Sequence, residues 1–358
     1  MMENMNGLSL DFIIHPGETI KEALEERNMS QEELAIRTGF SAKHISEVVN
    51  GKKGISAKLA KGLEYAFDVP MEFWINLQGL YDKEILEFRE QEEIQEEEFE
   101  IVKKAKKLIE YATDERVLSK GRNAIESVMD LRRICGINNL DDIKWLPVTQ
   151  ISFRVAKSID VDILYLWMRI NEILAKKIEL EQSYSREALI NRLGDIKNAM
   201  FLNINLAIKE LTQIFAECGI IFRVSKSFKG APVQGFIEKI RDNVMLTMTI
   251  RGAFADIFWF TLFHEIGHII NGDFDSRLID YEDLQSEKEV AADMFASNFL
   301  IDEDKFKEFL ERKNFTKSSV TKLAKENNVK PFIVVGRLER ELNDYRLLAD
   351  MRLKYEWK

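Results

Sequence analysis

The chain is poor in cysteine, histidine and proline, with two, four and five of them among 358 residues. Cys135 and Cys218 stand far apart and without metal-ligand spacing, which excludes a disulfide framework and a cysteine-built zinc site and leaves two core thiols. Long apolar runs are missing too. No stretch of roughly 18 uncharged apolar residues exists to span a bilayer, so no membrane partner is expected. The opening MMENMNGLSLDF has no basic segment followed by an apolar one, so no signal peptide is read and a cytoplasmic location is expected. Nor is positive charge in excess: 51 Lys and Arg against 61 Asp and Glu give a net charge of -10. That excludes a protein that coats nucleic acid non-specifically, and any DNA contact must come from a local patch.

What is present is a globular composition, 46% apolar and 31% charged, in a chain long enough for two or three domains. Residues 13 to 82 read as five short amphipathic helices, punctuated at Asn28-Met29, Gly39-Phe40, Asn50-Gly51 and Val69-Pro70. Residues 84 to 110 place an acidic run before Lys103, Lys104, Lys106 and Lys107, the pattern of a solvated connecting helix with Glu-to-Lys pairs such as Glu100 with Lys104. From 111 to 217 the apolar period stays helical. It changes at 218, where IIFRVS, VQGFIEKI and VMLTMTI read as strands, the last two joined across Arg241-Asp242-Asn243. Helices return at about 254. The expected fold is therefore α+β: an all-helical domain over 1–83, a helical connector over 84–150, and a C-terminal domain over 151–358 with a small β-sheet.

Two constellations carry chemistry. In the first, Ser30 and Glu33 form a capping-box pattern that starts a helix, Gly39 permits a tight turn, and SAKHISEVVNG gives a second helix ending at Asn50-Gly51. This is helix-turn-helix grammar. Ile45, Val48 and Val49 would pack inward, leaving Ser41, Lys43, Ser46 and Glu47 outward and His44 on the border, where a major groove can be read. Between 41 and 61, Lys43, Lys52, Lys53, Lys58 and Lys61 face only Glu47 and supply the local phosphate patch. The plain alternative is a helical protein-interaction domain with the same packing.

The second constellation is FHEIGHIING, which uses two of the four histidines. His264 and His268 fall one turn apart on an otherwise apolar helix, close enough to share a zinc ion at Zn–N distances of about 2.0 to 2.1 Å, and Glu265 lies beside them to reach a water molecule. Metzincin chemistry is excluded, because Asn271 and Phe274 stand where a glycine and a third histidine would be needed. Downstream, SEKEVAADMFASNFL places Glu289 and Asp293 one turn apart on a helix lined by Ala291, Ala292 and Ala296. Glu289 fits a third ligand and Asp293 fits an acceptor for the other N–H of a ligand histidine. Glu287, Asp273, Asp275 and Asp283 remain alternative ligands.

Both constellations resemble known families. HPGETIKEALEERNMSQEELA, HISEVVNGKKGISAKLAKGL and EFWINLQGLYD, over about residues 13 to 82, resemble the HigA group of antitoxins within the xenobiotic-response-element helix-turn-helix family. The resemblance implies a homodimer that binds a palindromic operator in double-stranded DNA and represses its own transcription. Carried over, Gln31 opens the first helix of the motif as a backbone or base contact, and Ser41, Lys43 and Ser46 lie on the reading face. IRGAFADIFWFTLFHEIGHIING, SEKEVAADMFASNFL and VKPFIVVGRLERELN, with the helical region before them, resemble the ImmA/IrrE zinc metallopeptidases over about 151 to 340. That implies a gluzincin-like fold, Zn2+ on His264, His268 and Glu289, Glu265 as catalytic base, and cleavage of helix-turn-helix repressors. Ala291 departs from the pattern, since many relatives carry a glutamate there.

The expectation is a regulator of antitoxin type joined to a zinc endopeptidase that cuts a helix-turn-helix repressor or itself. The rival is a non-enzymatic HigA-like antitoxin and autorepressor whose C-terminal domain binds a toxin or signal. Retention of Glu265 separates them, because a structural zinc site needs no general base. A third possibility is a peptidase whose N-terminal domain recruits a protein substrate without binding DNA.

Overall fold

The structure is a computed structural model that describes residues 12–146, 159–250, 254–274 and 287–355. Among them are sixteen α-helices and one three-stranded sheet, the α+β class expected. The chain divides into two compact units, residues 1–95 and 96–358.

The first unit contains α1 (Pro16–Glu26), α2 (Gln31–Thr38), α3 (Ala42–Val49), α4 (Ala57–Phe67) and α5 (Met71–Glu92). Ser30 caps α2 by accepting from the Glu33 N–H at 3.0 Å. The reciprocal half of the expected box differs: the Glu33 carboxylate is engaged by Arg37 one turn later, at 2.6 Å from its Nη2. Ile20, Leu34, Val48, Leu59, Leu63 and Trp74 fill the core. Gly17 lets α1 cross the end of α3, since a Cβ there would stand 2.3 Å from the Val48 carbonyl oxygen. The fifth helix is long, at 22 residues. After Pro70 nothing in its sequence stops it; Gly79 faces open space, and α5 runs through residue 83.

Side chains of α5 latch this unit together. Gln78 Oε1 accepts the Ile55 N–H at 2.7 Å while its Nε2 donates to Asp82 at 2.8 Å, tying the loop before α4 to α5. Tyr81 meets the His15 ring edge-on at 4.7 Å. His15 itself caps α1, its Nδ1 accepting from the Gly17 N–H at 2.9 Å.

The second unit begins with α6 (Glu96–Lys104), α7 (Lys106–Asp114) and α8 (Ala124–Cys135), so the 84–110 stretch is shared among the end of α5, α6 and α7. Glu98, fully buried, accepts from Arg132 Nη2 at 2.6 Å, Arg132 Nε at 2.8 Å and the Leu140 N–H at 2.9 Å. A buried ion pair survives when hydrogen bonds satisfy both ions in this way. Next come α9 (Val161–Lys176), α10 (Arg186–Asn198) and α11 (Ile204–Glu217), then β1 (Ile220–Ser225), β2 (Gly235–Ile240) and β3 (Asn243–Thr249). The sheet order is β1-β3-β2, with β1 parallel and β2 antiparallel to β3. The three strands fall where the period-2 runs placed them, and Arg241, at φ 57°, turns the β2–β3 hairpin.

The remaining helices are α12 (Ala255–Asn271), α13 (Glu287–Leu300), α14 (Glu303–Glu311), α15 (Lys317–Glu326) and α16 (Pro331–Leu342). Residues 353–355 form a strap at the entry of α12: the Ala255 N–H donates to the Leu353 carbonyl at 2.9 Å, and Trp259 Nε1 donates to Tyr355 Oη at 2.7 Å. The Arg352 guanidinium bridges Asp256 at 2.9 Å and Glu339 at 3.2 Å. No helix among the described residues is long and apolar enough to cross a membrane.

Burial lowers the pKa of His15, although the charges of Asp82 and Glu18 oppose it. The unfolded chain therefore binds the proton more readily, and this contribution to stability is complete above pH 6.5 and lost as pH falls from there through the depressed folded value. Hydrogen exchange in α1 should accordingly report a lower opening free energy at pH 5 than at pH 7, after correction for intrinsic exchange. His15→Asn, which keeps a cap acceptor, should flatten that dependence; an unchanged slope in the variant would assign it to another group.

Candidate functional site

The sequence of α12 makes it a buried helix, with Phe258, Trp259, Leu262, Phe263, Ile266 and Ile269 all nearly solvent-free. Its polar residues are consequently set in an apolar frame. Gly267 lets α13 lie close, with a built Cβ 3.1 Å from the Ala292 Cα, and Ala292 and Ala296 are fully buried at the crossing. Ala291, expected in that seam, is exposed: the helix turns it outward, one position off the Ala292 and Ala296 stripe.

Across this crossing three side chains converge. His264 Nε2 and His268 Nε2 lie 3.1 Å apart. The two Glu289 oxygens reach them at 3.1 and 3.2 Å. His264, His268 and Glu289 are 8%, 3% and 9% exposed, and they form a group able to hold a metal ion. The other ring nitrogens face carboxylates, His264 Nδ1 at 2.8 Å from Asp293 Oδ1 and His268 Nδ1 at a longer 3.4 Å from Asp273 Oδ2. Lys288 pairs with the second Asp273 oxygen at 3.0 Å. With Nδ1 as the N–H on each ring, both Nε2 atoms turn lone pairs toward each other and toward an anion. Such a donor set is repulsive until a cation enters. It also fits zinc in size, because bonds of about 2.0 to 2.1 Å in a tetrahedron separate neighbouring ligand atoms by about 3.3 Å. Burial lowers the His268 pKa, but the Glu289 hydrogen bond and the charges of Glu265 and Glu289 outweigh it and leave a net rise, the response of a site that attracts positive charge.

Glu265, 4% exposed, stands beside the three. It occupies space that only glycine leaves open on β2: a Cβ on Gly235 would lie 2.0 Å from Glu265 Oε1. Thr261 Oγ1 donates to Gln234 Oε1 at 3.0 Å and fastens the start of that strand to α12. His264, Glu265 and Glu289 open into a cleft of about 500 Å³ lined also by Pro232 to Gly235 and by further residues of α12, α13 and α16.

Of the alternative ligands, Asp273 faces His268 as described, Glu287 is exposed at the start of α13, and Asp275 and Asp283 lie outside the described residues. Gly235 was not legible, since its role exists only where β2 meets α12. Asp273 carried a signal, the Gly272 cap at φ 80° that turns the chain back toward His268.

In the first unit, α3 buries Ile45, Val48 and Val49. The Lys43 side chain is 85% exposed and 4.0 Å from Glu47, which pairs more closely with Lys53 at 2.7 Å. Lys52 is exposed and Gln31 half-buried at the start of α2. Ser41 is the N-cap of α3, its Oγ accepting from the His44 N–H at 3.2 Å. Ser46 Oγ accepts from Asn50 Nδ2 at 3.2 Å, and His44 stacks on Phe40 at 4.7 Å. Lys43 and Lys52 thus face solvent, whereas Ser41, His44 and Ser46 have partners within the unit.

A helix-turn-helix family model matches residues 20–74, and an IrrE N-terminal-like domain model of a peptidase family matches residues 257–339. The chain belongs to the helix-turn-helix proteins and carries an IrrE N-terminal-like domain. Two relatives from Dichelobacter nodosus align with the helix-turn-helix end. Virulence-associated protein A' is 42% identical over 69 residues, 19% of this chain and 60% of that protein, so the chain spans under two thirds of its length. Virulence-associated protein I is 35% identical over 75 residues, 21% of this chain and 69% of that protein. The solved Pseudomonas aeruginosa antitoxin HigA with higBA promoter is 34% identical, covers 23% of this chain and 96% of its own, and has a TM-score of 0.21. His264, Glu265, His268 and Glu289 all fall inside the IrrE-like match, whereas Gly235 precedes it.

The IrrE-like unit is expected to bind one zinc ion, measured by elemental analysis of the purified chain. His264→Ala and Glu289→Ala, shown folded by circular dichroism, should lose it. Gly235→Ala should keep it, because the added Cβ displaces Glu265 without removing a ligand. Stoichiometric zinc in both folded ligand variants would place the metal elsewhere.

Proposed function

We propose that this protein is a DNA-binding regulator of antitoxin type whose C-terminal unit is a zinc-dependent endopeptidase, cutting a helix-turn-helix repressor or its own chain. The observation that carries the enzymatic part is the meeting of His264, His268 and Glu289 beside Glu265 in one cleft, with Gly235 keeping the base clear. Zinc bound there supplies Lewis-acid activation of water and of the scissile carbonyl. Glu265 removes the proton of the attacking water and passes it to the leaving amine. Asp293 and Asp273 hold the imidazole rings in the orientation and tautomer that ligation needs. β2, at the sheet edge in the order β1-β3-β2, takes the substrate as an added strand, which brings its backbone past Gly235 to the base.

A helix must unwind before it can add to a sheet. Within residues 84 to 110, residues 94 and 95 have no regular structure, which favours this junction for self-cleavage. Fusion of the two functions fixes a high effective concentration, so even a slow cut becomes efficient when a signal exposes the segment. For the DNA-binding part, support comes from the helix-turn-helix match and from the outward Lys43 and Lys52. A homodimer would set two copies of α3 on a palindromic operator.

Two experiments test this reading. Lys43→Glu should abolish binding to operator DNA from the region upstream of the gene, and Lys52→Ala should weaken binding on every sequence while reducing the salt slope by about 1. Equal affinity of wild type and Lys43→Glu at matched salt removes the DNA-binding claim. For the peptidase, zinc-loaded wild type and Glu265→Gln are incubated alone and with purified helix-turn-helix repressors, and fragments are mapped by mass spectrometry. Cleavage by wild type only is expected; its absence in the presence of bound zinc would favour the non-enzymatic antitoxin.

A further inference from the structure

The cleft extends beyond the metal-ligand group along one face of α12. Asp256, Phe260, His264 and His268 are spaced four residues apart, so they form one stripe. The opposite wall is α16. From it Arg340 reaches over Phe260, with its guanidinium carbon 4.3 Å from the ring centroid. The same Phe260 ring lies 6.5 Å from the His264 ring, and all three residues line the cleft.

The charges around Arg340 are unevenly matched. Arg337 pairs with Glu303, and Arg352 with Asp256 and Glu339. Arg340 has no acidic partner among the described residues; it is exposed and held by an aromatic face alone. A guanidinium held over a ring face keeps N–H donors that can take a planar, bidentate acceptor. One helical turn separates Phe260 from His264, about 6 Å along the axis, which an extended peptide crosses in about two residues.

We propose that Arg340 is a specificity-determining residue of this cleft, binding a substrate carboxylate one or two residues from the scissile bond, either an acidic side chain or the chain's C-terminus. This rests on the peptidase reading above.

Hydroxamates, which chelate zinc without being cleaved, test both ideas separately. One scaffold extends from the hydroxamate in the N-terminal direction and carries Glu or Gln. A second, built on succinyl hydroxamate, extends in the C-terminal direction and ends in amidated Glu, amidated Gln or glycine with a free carboxylate. Binding to the full-length, zinc-loaded chain is read by calorimetry for wild type, Arg340→Gln and Arg340→Lys. In wild type at least one carboxylate probe should bind about tenfold tighter than its Gln counterpart, and the glycine probe against the Glu probes tells terminus from side chain. Arg340→Gln should remove the preference and Arg340→Lys restore part of it, while the Gln probes bind all three proteins alike. Equal binding of Glu, Gln and free-carboxylate probes to wild type overturns the role of Arg340, as does a preference that survives in Arg340→Gln. Failure of every hydroxamate to bind the zinc-loaded chain would instead overturn the peptidase reading, and this inference with it.

Discussion

Two imidazoles and a carboxylate set 3.1 to 3.2 Å apart inside an apolar helix crossing form the constraint on which the C-terminal unit depends. Burial leaves Glu289 little access to water, and the close approach of α12 and α13 at Gly267 and Ala292 brings the three groups together. In that setting a cation is the natural complement, since removing charge from water is costly unless it is compensated. The surrounding residues follow from it. Asp293 and Asp273 occupy the outer ring nitrogens, and Lys288 balances Asp273.

Local chemistry was readable from the sequence to the extent that it obeys helical periodicity. His264, Glu265 and His268 stood out because a four-residue spacing on one helix fixes their relation without knowledge of the fold. Glu289 and Asp293 were legible for the same reason, although the sequence left Glu287, Asp273, Asp275 and Asp283 in contention. What no local pattern could carry were relations between distant elements. Gly235 looks like an ordinary strand residue until β2 is set against Glu265, and Arg340 like an ordinary helical surface residue until it is set over Phe260. Ala291 misled for a subtler reason, since a run of alanines marks a helix that can pack closely but does not say which alanine is in the seam.

The first unit shows the converse case. There the resemblance rested on residues such as Trp74, Gln78 and Tyr81, and the structure gives them physical work close to home: Trp74 is buried, Gln78 satisfies the Ile55 N–H, and Tyr81 abuts the ring that caps α1. The outward face of α3 remains less specified by packing. Ser41 and Ser46 already have hydrogen-bond partners, so contact with DNA through either would add to or replace an existing bond. Lys43 has only a distant approach to Glu47, and a long flexible cation can move to a phosphate or a base with little loss.

The strap at the entry of α12 has a temporal meaning. The first N–H of the histidine-bearing helix is satisfied by Leu353, and Trp259 by Tyr355, nearly a hundred positions later in the chain. During synthesis those partners reach the nascent chain long after the first unit has emerged, and contacts of such long sequence separation close late. The helix-turn-helix segment can therefore fold on the ribosome while the cleft still lacks its last support.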